Sequence, residues 1–141
     1  VLMRRTAGLI SFFCAGLLLL LLLSSPKGGG GVAPPIPGVD KIILIVEDKE
    51  ARRNLSPKQL AIFASGDVAD FAMTNGFTMR ILDKGAQVTP GPIRDAMQVV
   101  LAKPMLKLPW LVISNKPAGK GYDGILPADV PEMKALLESK K

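Results

Sequence analysis

Histidine is absent from this chain, and only one cysteine, Cys14, is present. Without imidazole the chain cannot perform Ser-His-Asp or Cys-His catalysis, and it has no zinc site that depends on histidine. One thiol cannot form an intramolecular disulfide, a Cys-x-x-Cys redox pair or a multi-thiolate metal site. Aromatic residues are few, at 5%, and a length of 141 residues leaves room for one small domain. A two-domain enzyme is therefore excluded.

The chain is mildly basic, with 18 Lys and Arg residues against 12 Asp and Glu residues and a formal net charge of +6. Two of these cations, Arg4 and Arg5, precede a long apolar stretch near the N-terminus. The rest of the chain keeps an excess of four positive charges, which suits an anionic membrane surface. This excess is too small to indicate a protein that binds nucleic acid.

The most apolar part of the sequence follows those two arginines. Residues Ala7–Leu23 carry no charge and end in a run of leucines, so positions 1–25 are predicted to be a signal anchor. At about 1.5 Å per residue, residues 6–25 are long enough to cross the roughly 30 Å core of a lipid bilayer. Leu22–Pro26 contains no A-x-A-like cleavage site, which favours retention of the anchor over its removal.

The positive-inside rule keeps the two arginines cytoplasmic and places the chain after Ser25 on the outer side of the membrane. We therefore expect a single N-terminal transmembrane helix with a periplasmic or extracellular C-terminal domain. Residues 26–38 contain a glycine block followed by a proline block and are predicted to be a linker. Gly28–Gly31 is not a phosphate loop, since no strand precedes it and no Gly-Lys-Ser/Thr follows it.

Residues 39–141 have the pattern of one folded α/β domain. Ile42–Val46 is a continuous β-branched run typical of a strand that is buried on both faces. Ser56–Gln59 supplies an N-cap, a first-turn proline and a capping-box glutamine, which together begin a helix. The remaining segments predict a helical piece over 67–75, a strand over 77–82, a helix over 92–102, strands over 110–114 and 121–125, and a last helix after Asp129. The predicted order is β-α-β-α-β-β-α.

Leu108-Pro109-Trp110 leads into the predicted third strand, and Gly121-Tyr122-Asp123-Gly124 lies in the fourth. Together with the element order, these residues resemble the thioredoxin-like superfamily over about residues 39–139. The resemblance implies a three-layer α/β domain, a cis bond before Pro109, a sheet in the order 2-1-3-4, and an antiparallel fourth strand at an edge.

The segment after the first strand departs from the redox members of that superfamily. Those members carry Cys-x-x-Cys at the N-terminus of the first helix, where the helix dipole lowers the thiol pKa. Residues 47–56 of this chain contain no cysteine, so disulfide exchange and thiol peroxidase chemistry are excluded for this chain alone. Pro109 has two interpretations: it shapes a groove in which an extended partner pairs with the neighbouring backbone, or it only fixes the entry to the strand.

The same segment also resembles the opening of a response-regulator receiver, in which an acidic pair after the first strand holds Mg²⁺. Glu47 and Asp48 stand in that position, and Lys116-Pro117 resembles the Lys-Pro element of receivers. A receiver also needs a phosphoacceptor aspartate at the end of its third strand. Asp83 instead follows the second predicted strand, and Asp95 falls in a helical pattern. The receiver interpretation is therefore less favoured.

The residues singled out as candidates for binding a ligand or partner are Asp48, Arg52, Pro109, Trp110 and Tyr122. Carboxylates in the loop after the first strand could bind a hard cation, but the neighbouring cations favour ion pairs within a solvated loop. Trp110 and Tyr122, on adjacent predicted strands, either stack on a ligand or form a cross-strand packing pair. No serine has a G-x-S-x-G context or a histidine base, and the sequence leaves a Ser-Lys dyad open. No carboxylate pair has a spacing that predicts acid-base catalysis, and no catalytic residue, metal site or cofactor is assigned.

These features favour a membrane-tethered, non-redox thioredoxin-like module that binds or scaffolds protein partners in an envelope complex. The alternative is an enzyme that depends on a small ligand or a metal and uses the acidic loop over 47–53, with Pro109 and Trp110 nearby. Tight binding of a metal or small ligand that Asp48→Ala abolishes would favour the enzyme. Stable partners co-purified from solubilised membranes would favour the module.

Overall fold

The computed structural model describes residue 36 and residues 38–141 of the chain. The predicted signal anchor over 1–25 and most of the predicted linker over 26–38 lie outside the described residues. Within the described part, no helix is both long and apolar enough to cross a membrane.

The described residues form a mixed α/β fold with four strands and four α-helices. The strands are β1 (Lys41–Glu47), β2 (Thr78–Asp83), β3 (Trp110–Asn115) and β4 (Lys120–Ile125), and the helices are α1 (Pro57–Ala64), α2 (Gly66–Thr74), α3 (Pro92–Leu101) and α4 (Val130–Lys140). A short 3-10 turn, Arg52–Asn54, stands between β1 and α1. Every element that the sequence predicts for residues 39–141 is present in the predicted order, with α1 and α2 as the two helical pieces between β1 and β2.

Side-chain caps explain where three of the helices begin. The hydroxyl of Ser56 accepts a hydrogen bond from the Gln59 amide at 3.2 Å at the start of α1, and the carboxylate of Asp129 caps α4 by accepting from the Glu132 amide. Ser65 has extended backbone angles and accepts from the Val68 amide at 3.3 Å, so it ends α1 and begins α2. The caps at Ser56 and Asp129 are recognisable in the sequence because each acts on an amide only three residues away.

The four strands form one mixed sheet in the order β2-β1-β3-β4, which confirms the predicted strand order. β1 and β2 are parallel, β3 is antiparallel to β1, and β4 is antiparallel to β3 at the edge of the sheet. The Leu108–Pro109 bond before β3 is cis, as the resemblance implies. Since β3 runs against β1, Pro109 at the start of β3 lies at the same end of the sheet as Glu47 at the end of β1.

Apolar clusters cover both faces of the sheet and make the domain three layers thick. One cluster joins Ile43 and Ile45 of β1 to α1, α2 and α4, and the other joins Ile42, Leu44 and Val46 to α3. The whole Ile42–Val46 run is inaccessible to solvent, which confirms that this strand is buried on both faces.

Ile36, which the sequence assigns to the linker, is packed into the cluster on the α3 face. Its amide donates a 2.7 Å hydrogen bond to the Ser114 hydroxyl of β3, and this bond is buried. The folded part therefore begins before residue 39. A single isoleucine among glycines and prolines has no periodicity, and its burial depends on a partner far along the chain, so local sequence patterns miss it.

Candidate functional site

The ends of β1 and β2 and the start of β3 meet at one end of the sheet, where the sequence places the candidate site. A cleft of only about 10 Å³ lies there, and we call it the Pro109 cleft; its lining residues are Glu47, Asp48, Ala51, Arg52, Leu55, Leu108 and Pro109. Three of the predicted site residues, Asp48, Arg52 and Pro109, are thus neighbours. The cleft is too small for a substrate molecule, because ligand pockets usually enclose several hundred Å³.

Arg52 and Glu47 form a two-pronged ion pair beside this cleft. The Nε of Arg52 donates to Oε2 of Glu47 at 2.7 Å, and its second terminal nitrogen donates to Oε1. Glu47 is only 2% exposed, so the guanidinium supplies the charge partner that a buried carboxylate requires. The hydrogen bonds that Arg52 donates to Glu47 also raise the pKa of Arg52. The same guanidinium lies 4.7 Å from the ring centroid of Phe63 in α1, so Arg52 joins the loop to the first helix.

Asp48 holds the turn that follows β1. One carboxylate oxygen accepts from the amides of Glu50 and Ala51 at 3.0 and 3.3 Å, and the other contacts the Lys84 ammonium at 2.6 Å. The hydrogen bond from Lys84 is the main cause of the lowered pKa of Asp48, and the same bond raises the pKa of Lys84. Asp48 is therefore a structural residue of the loop that also borders the cleft.

Asp83, at the end of β2, ties the two loops together. Its carboxylate accepts from the Lys49 amide at 2.9 Å and from the Gly85 amide at 3.0 Å. These backbone hydrogen bonds lower the pKa of Asp83. Sequence reasoning considered Asp83 only as a phosphoacceptor, because its role depends on β2 lying parallel to β1.

Glu47, Asp48 and Asp83 at this end of the sheet all have bonding partners. Glu47 does pair with Arg52 as predicted, but it is a buried residue at the end of β1 and not part of a solvated loop. Asp48 pairs with Lys84 after β2 instead of with a loop cation. Among the described residues, no group of three or more acidic, cysteine or histidine side chains could hold a metal ion. The loop over 47–56 contains no thiol. Glu47, Asp48 and Asp83 thus hold the loops at this end of the sheet in place.

Strand direction also bears on the receiver interpretation. Because β3 is antiparallel to β1, its last residues, Ser114 and Asn115, lie at the opposite end of the sheet from Glu47 and Asp48. No aspartate at the end of β3 can therefore face the acidic pair. This geometry argues against a receiver.

Trp110 and Tyr122 lie on opposite faces of the sheet. Trp110 packs with the cluster on the α3 face, and Tyr122 packs on the face of α1, α2 and α4. In the register, Trp110 is opposite Ile125 and Tyr122 is opposite Ile113. The two aromatic rings therefore neither form a cross-strand pair nor stack on one ligand. Successive side chains of a strand alternate between the two faces of the sheet, so the register of the β3–β4 hairpin decides which face each aromatic ring occupies. The sequence does not show that register.

Each ring has its own polar partners. The indole Nε1 of Trp110 donates to Asp123 at 2.5 Å, and the Lys103 ammonium lies 2.8 Å from the other Asp123 oxygen and 5.3 Å from the Trp110 ring centroid. The Tyr122 hydroxyl donates to the Ile125 carbonyl at 2.9 Å, and burial raises the pKa of Tyr122. Sequence reasoning missed Lys103 and Asp123, which are far apart along the chain.

A second concavity, a groove of about 450 Å³, follows the outer side of β2. Its walls are Arg80 and Leu82 of β2 and the segment 87–93 that leads into α3. The groove shares no lining residue with the Pro109 cleft. The segment 87–93 has no periodic pattern, so a groove at this position cannot be predicted from the sequence.

Comparison with known proteins identifies no relative: no family model, no curated protein and no solved structure matches this chain. The function of the site therefore has to follow from its own geometry. That geometry consists of a loop held by hydrogen bonds and ion pairs, a very small cleft and the backbone beside Pro109.

Proposed function

We propose that residues 36–141 are a thioredoxin-like binding module without redox chemistry, which an N-terminal anchor over residues 1–25 holds at a membrane. The module faces the periplasm or the cell exterior and binds a protein partner in an envelope complex. The strand order and the position of Pro109 beside the loop after β1 support the thioredoxin-like assignment.

The observation that carries the proposal is the small volume of the Pro109 cleft. A cleft of about 10 Å³ cannot enclose a small-molecule substrate, and the loop that borders it has ion-paired carboxylates and no thiol. A site with this composition is suited to a macromolecular surface contact, in which affinity comes from shape and backbone hydrogen bonds.

The backbone next to Pro109 is the part of the site that suits an extended partner. The Pro109 carbonyl accepts from the Leu126 amide at 3.2 Å, so it is already used. Within the described part of the chain, the Leu108 N–H and C=O make no hydrogen bond to another backbone group. An extended peptide that pairs with Leu108 satisfies both groups and lies across the Pro109 cleft.

Site-specific photo-cross-linking of the full chain in its native membrane tests this function. We place the photoreactive residue at Lys107, which is exposed and adjacent to Leu108. Discrete cross-linked proteins, identified by mass spectrometry, are expected from this position because the partner strand passes beside it.

Met73 provides the matched control position. It is 74% exposed on α2, and α2 ends near the start of β1, away from the Pro109 cleft. Products specific to Lys107 support the proposed partner site. Identical products from both positions, or none from Lys107, would contradict it.

A further inference from the structure

The end of the domain opposite the Pro109 cleft is rich in lysine. We call it the basic end and define it by Lys41, Lys116, Lys120, Lys140 and Lys141. Lys41 begins β1 and lies opposite Asn115, and Asn115 lies opposite Lys120 at the start of β4. The side-chain amide of Asn115 donates to the Lys140 carbonyl at 2.9 Å, which brings the end of α4 to the same place. Three strand ends and one helix end thus present cations on one surface.

Few anions neutralise the basic end. Of its five ammonium groups, only that of Lys141 forms an ion pair within the described part of the chain, with Glu138 at 2.6 Å. The one other acidic residue in the segments that form this end is Asp40, which precedes β1. Lys116 and Lys120 are exposed, and although the Lys120 ammonium donates to the Lys141 main-chain oxygen at 2.9 Å, both side chains face solvent where they can meet an external anionic surface.

The chain also enters the domain at the basic end. The Ile36 amide is bonded to Ser114 near the end of β3, and the Lys116 amide donates to the Asp40 carbonyl at 2.7 Å. Residues 26–35 therefore join the predicted anchor to this end of the domain. Gly-rich linkers of that length have a mean end-to-end distance of about 17 Å.

From these observations we infer that the basic end docks on anionic lipid headgroups. This inference rests on the anchor in the proposed function, because a short tether converts weak attraction into a contact within one molecule at high effective concentration. Docking by the basic end points the Pro109 cleft away from the bilayer, since the cleft and the basic end lie at opposite ends of β1 and β3. The partner site would then face outward.

Energy transfer from Trp110 to a dansyl-labelled lipid headgroup measures how closely the domain approaches the bilayer, and the charge-reversal variants described next show which end makes the contact. Trp110 is the one tryptophan of the chain and lies at the far end of β3 from Lys116. We expect more efficient transfer when the full chain is reconstituted in vesicles with phosphatidylglycerol than in phosphatidylcholine alone. Raising the salt to about 0.5 M should remove most of the difference, because screening shortens the reach of surface charge to a few Å.

Two charge-reversal variants distinguish the effect of the basic end from the effect of net charge on docking. Lys116→Glu/Lys120→Glu should abolish the difference between the two lipids, whereas Arg53→Glu/Lys58→Glu should retain it, because Arg53 and Lys58 lie at the Pro109 end. Unchanged urea midpoints verify that both variants fold. Equal transfer in both lipids, or equal loss in both variants, would overturn the inference.

Flotation of the same vesicles distinguishes docking from anchoring. A chain that floats with both lipids but shows equal transfer contradicts docking and leaves the anchor supported. A chain that floats only with anionic vesicles supports docking and contradicts the anchor. A chain that floats with neither contradicts both.

Discussion

The Arg52 guanidinium contacts two parts of the candidate site: the buried Glu47 at the end of β1 and the Phe63 ring of α1. Its neighbour Arg53 is exposed and makes no ion pair with the described residues. The two arginines are adjacent in sequence and equal in charge, yet only one has a buried partner. A comparison of substitutions at the two positions therefore measures how much the ion pair with Glu47 contributes to the free energy of unfolding.

Arg52→Ala should lower the free energy of unfolding by about 3 kcal/mol, because it leaves the Glu47 carboxylate buried without a counter-charge. Arg52→Lys should fall between Arg52→Ala and the natural chain, since an ammonium cannot form both hydrogen bonds of the guanidinium fork. Urea unfolding of the full chain in detergent, followed by Trp110 fluorescence, measures each value. Arg53→Ala is the control, with an expected change below about 0.5 kcal/mol. Equal effects of the two alanine variants would refute the role of the pair.

At the scale of elements, β4 has an unusual internal contact. Tyr122 and Gly124 are on the same face of the strand, and a Cβ atom added at Gly124 would lie 2.6 Å from the Tyr122 hydroxyl and 2.8 Å from Cζ. The ring thus lies directly over the glycine, with its hydroxyl bonded to the Ile125 carbonyl. Glycine is needed at position 124 because the aromatic ring occupies the space of a side chain.

Gly124→Ala should destabilise the domain by about 1–3 kcal/mol, because the new methyl group overlaps the Tyr122 ring. In a Tyr122→Ala background the same change should cost much less, since the overlapping atoms are gone. A double-mutant cycle from urea unfolding gives the coupling energy. Gly66→Ala is a control without steric overlap, because no heavy atom lies within 4 Å of its added Cβ. Additive effects of the two substitutions would be inconsistent with this contact.

Local and long-range determinants explain which elements the sequence could predict. Ser56 and Asp129 act through partners three residues away, so the beginnings of α1 and α4 are visible in the sequence. The partner of Asp48 is Lys84, and that of Trp110 is Asp123. These pairs depend on which strands are neighbours and in which register, and a residue pattern along one strand does not contain that information.

At the scale of the whole molecule, the fold brings together loops that are distant in sequence. The strand order could be predicted only through the thioredoxin-like resemblance, and the burial of Ile36 could not be predicted at all. The loops after β1 and β2 are joined by Asp48 and Asp83, whose carboxylates bond to Lys84 and to the Lys49 amide. Their protonation should therefore affect the stability of the entire domain.

Acid should unfold the protein partly through these two aspartates. Both have a lowered pKa in the folded state, so their contribution is present above about pH 3.9, the pKa of an unfolded aspartate, and is lost as the pH falls through the folded value. The urea midpoint should fall between pH 5 and 2.5, and the fall should be smaller in Asp48→Asn/Asp83→Asn. In the control Asp40→Asn/Asp70→Asn, the urea midpoint should fall with pH as steeply as in the natural chain. If the urea midpoint fell equally with pH in both double variants, the proposed role of Asp48 and Asp83 would be disproved.

Within the part of the chain that the structure describes, no strand pairs with the outer edges of β2 and β4, and each of these strands carries charge. β2 has the exposed Arg80, and β4 has Lys120, Asp123 and two glycines. Unpaired strand edges are templates for intermolecular polymerisation, and charged residues and glycine oppose it. Where many copies crowd side by side on one surface, this composition keeps neighbours from fusing into fibrils.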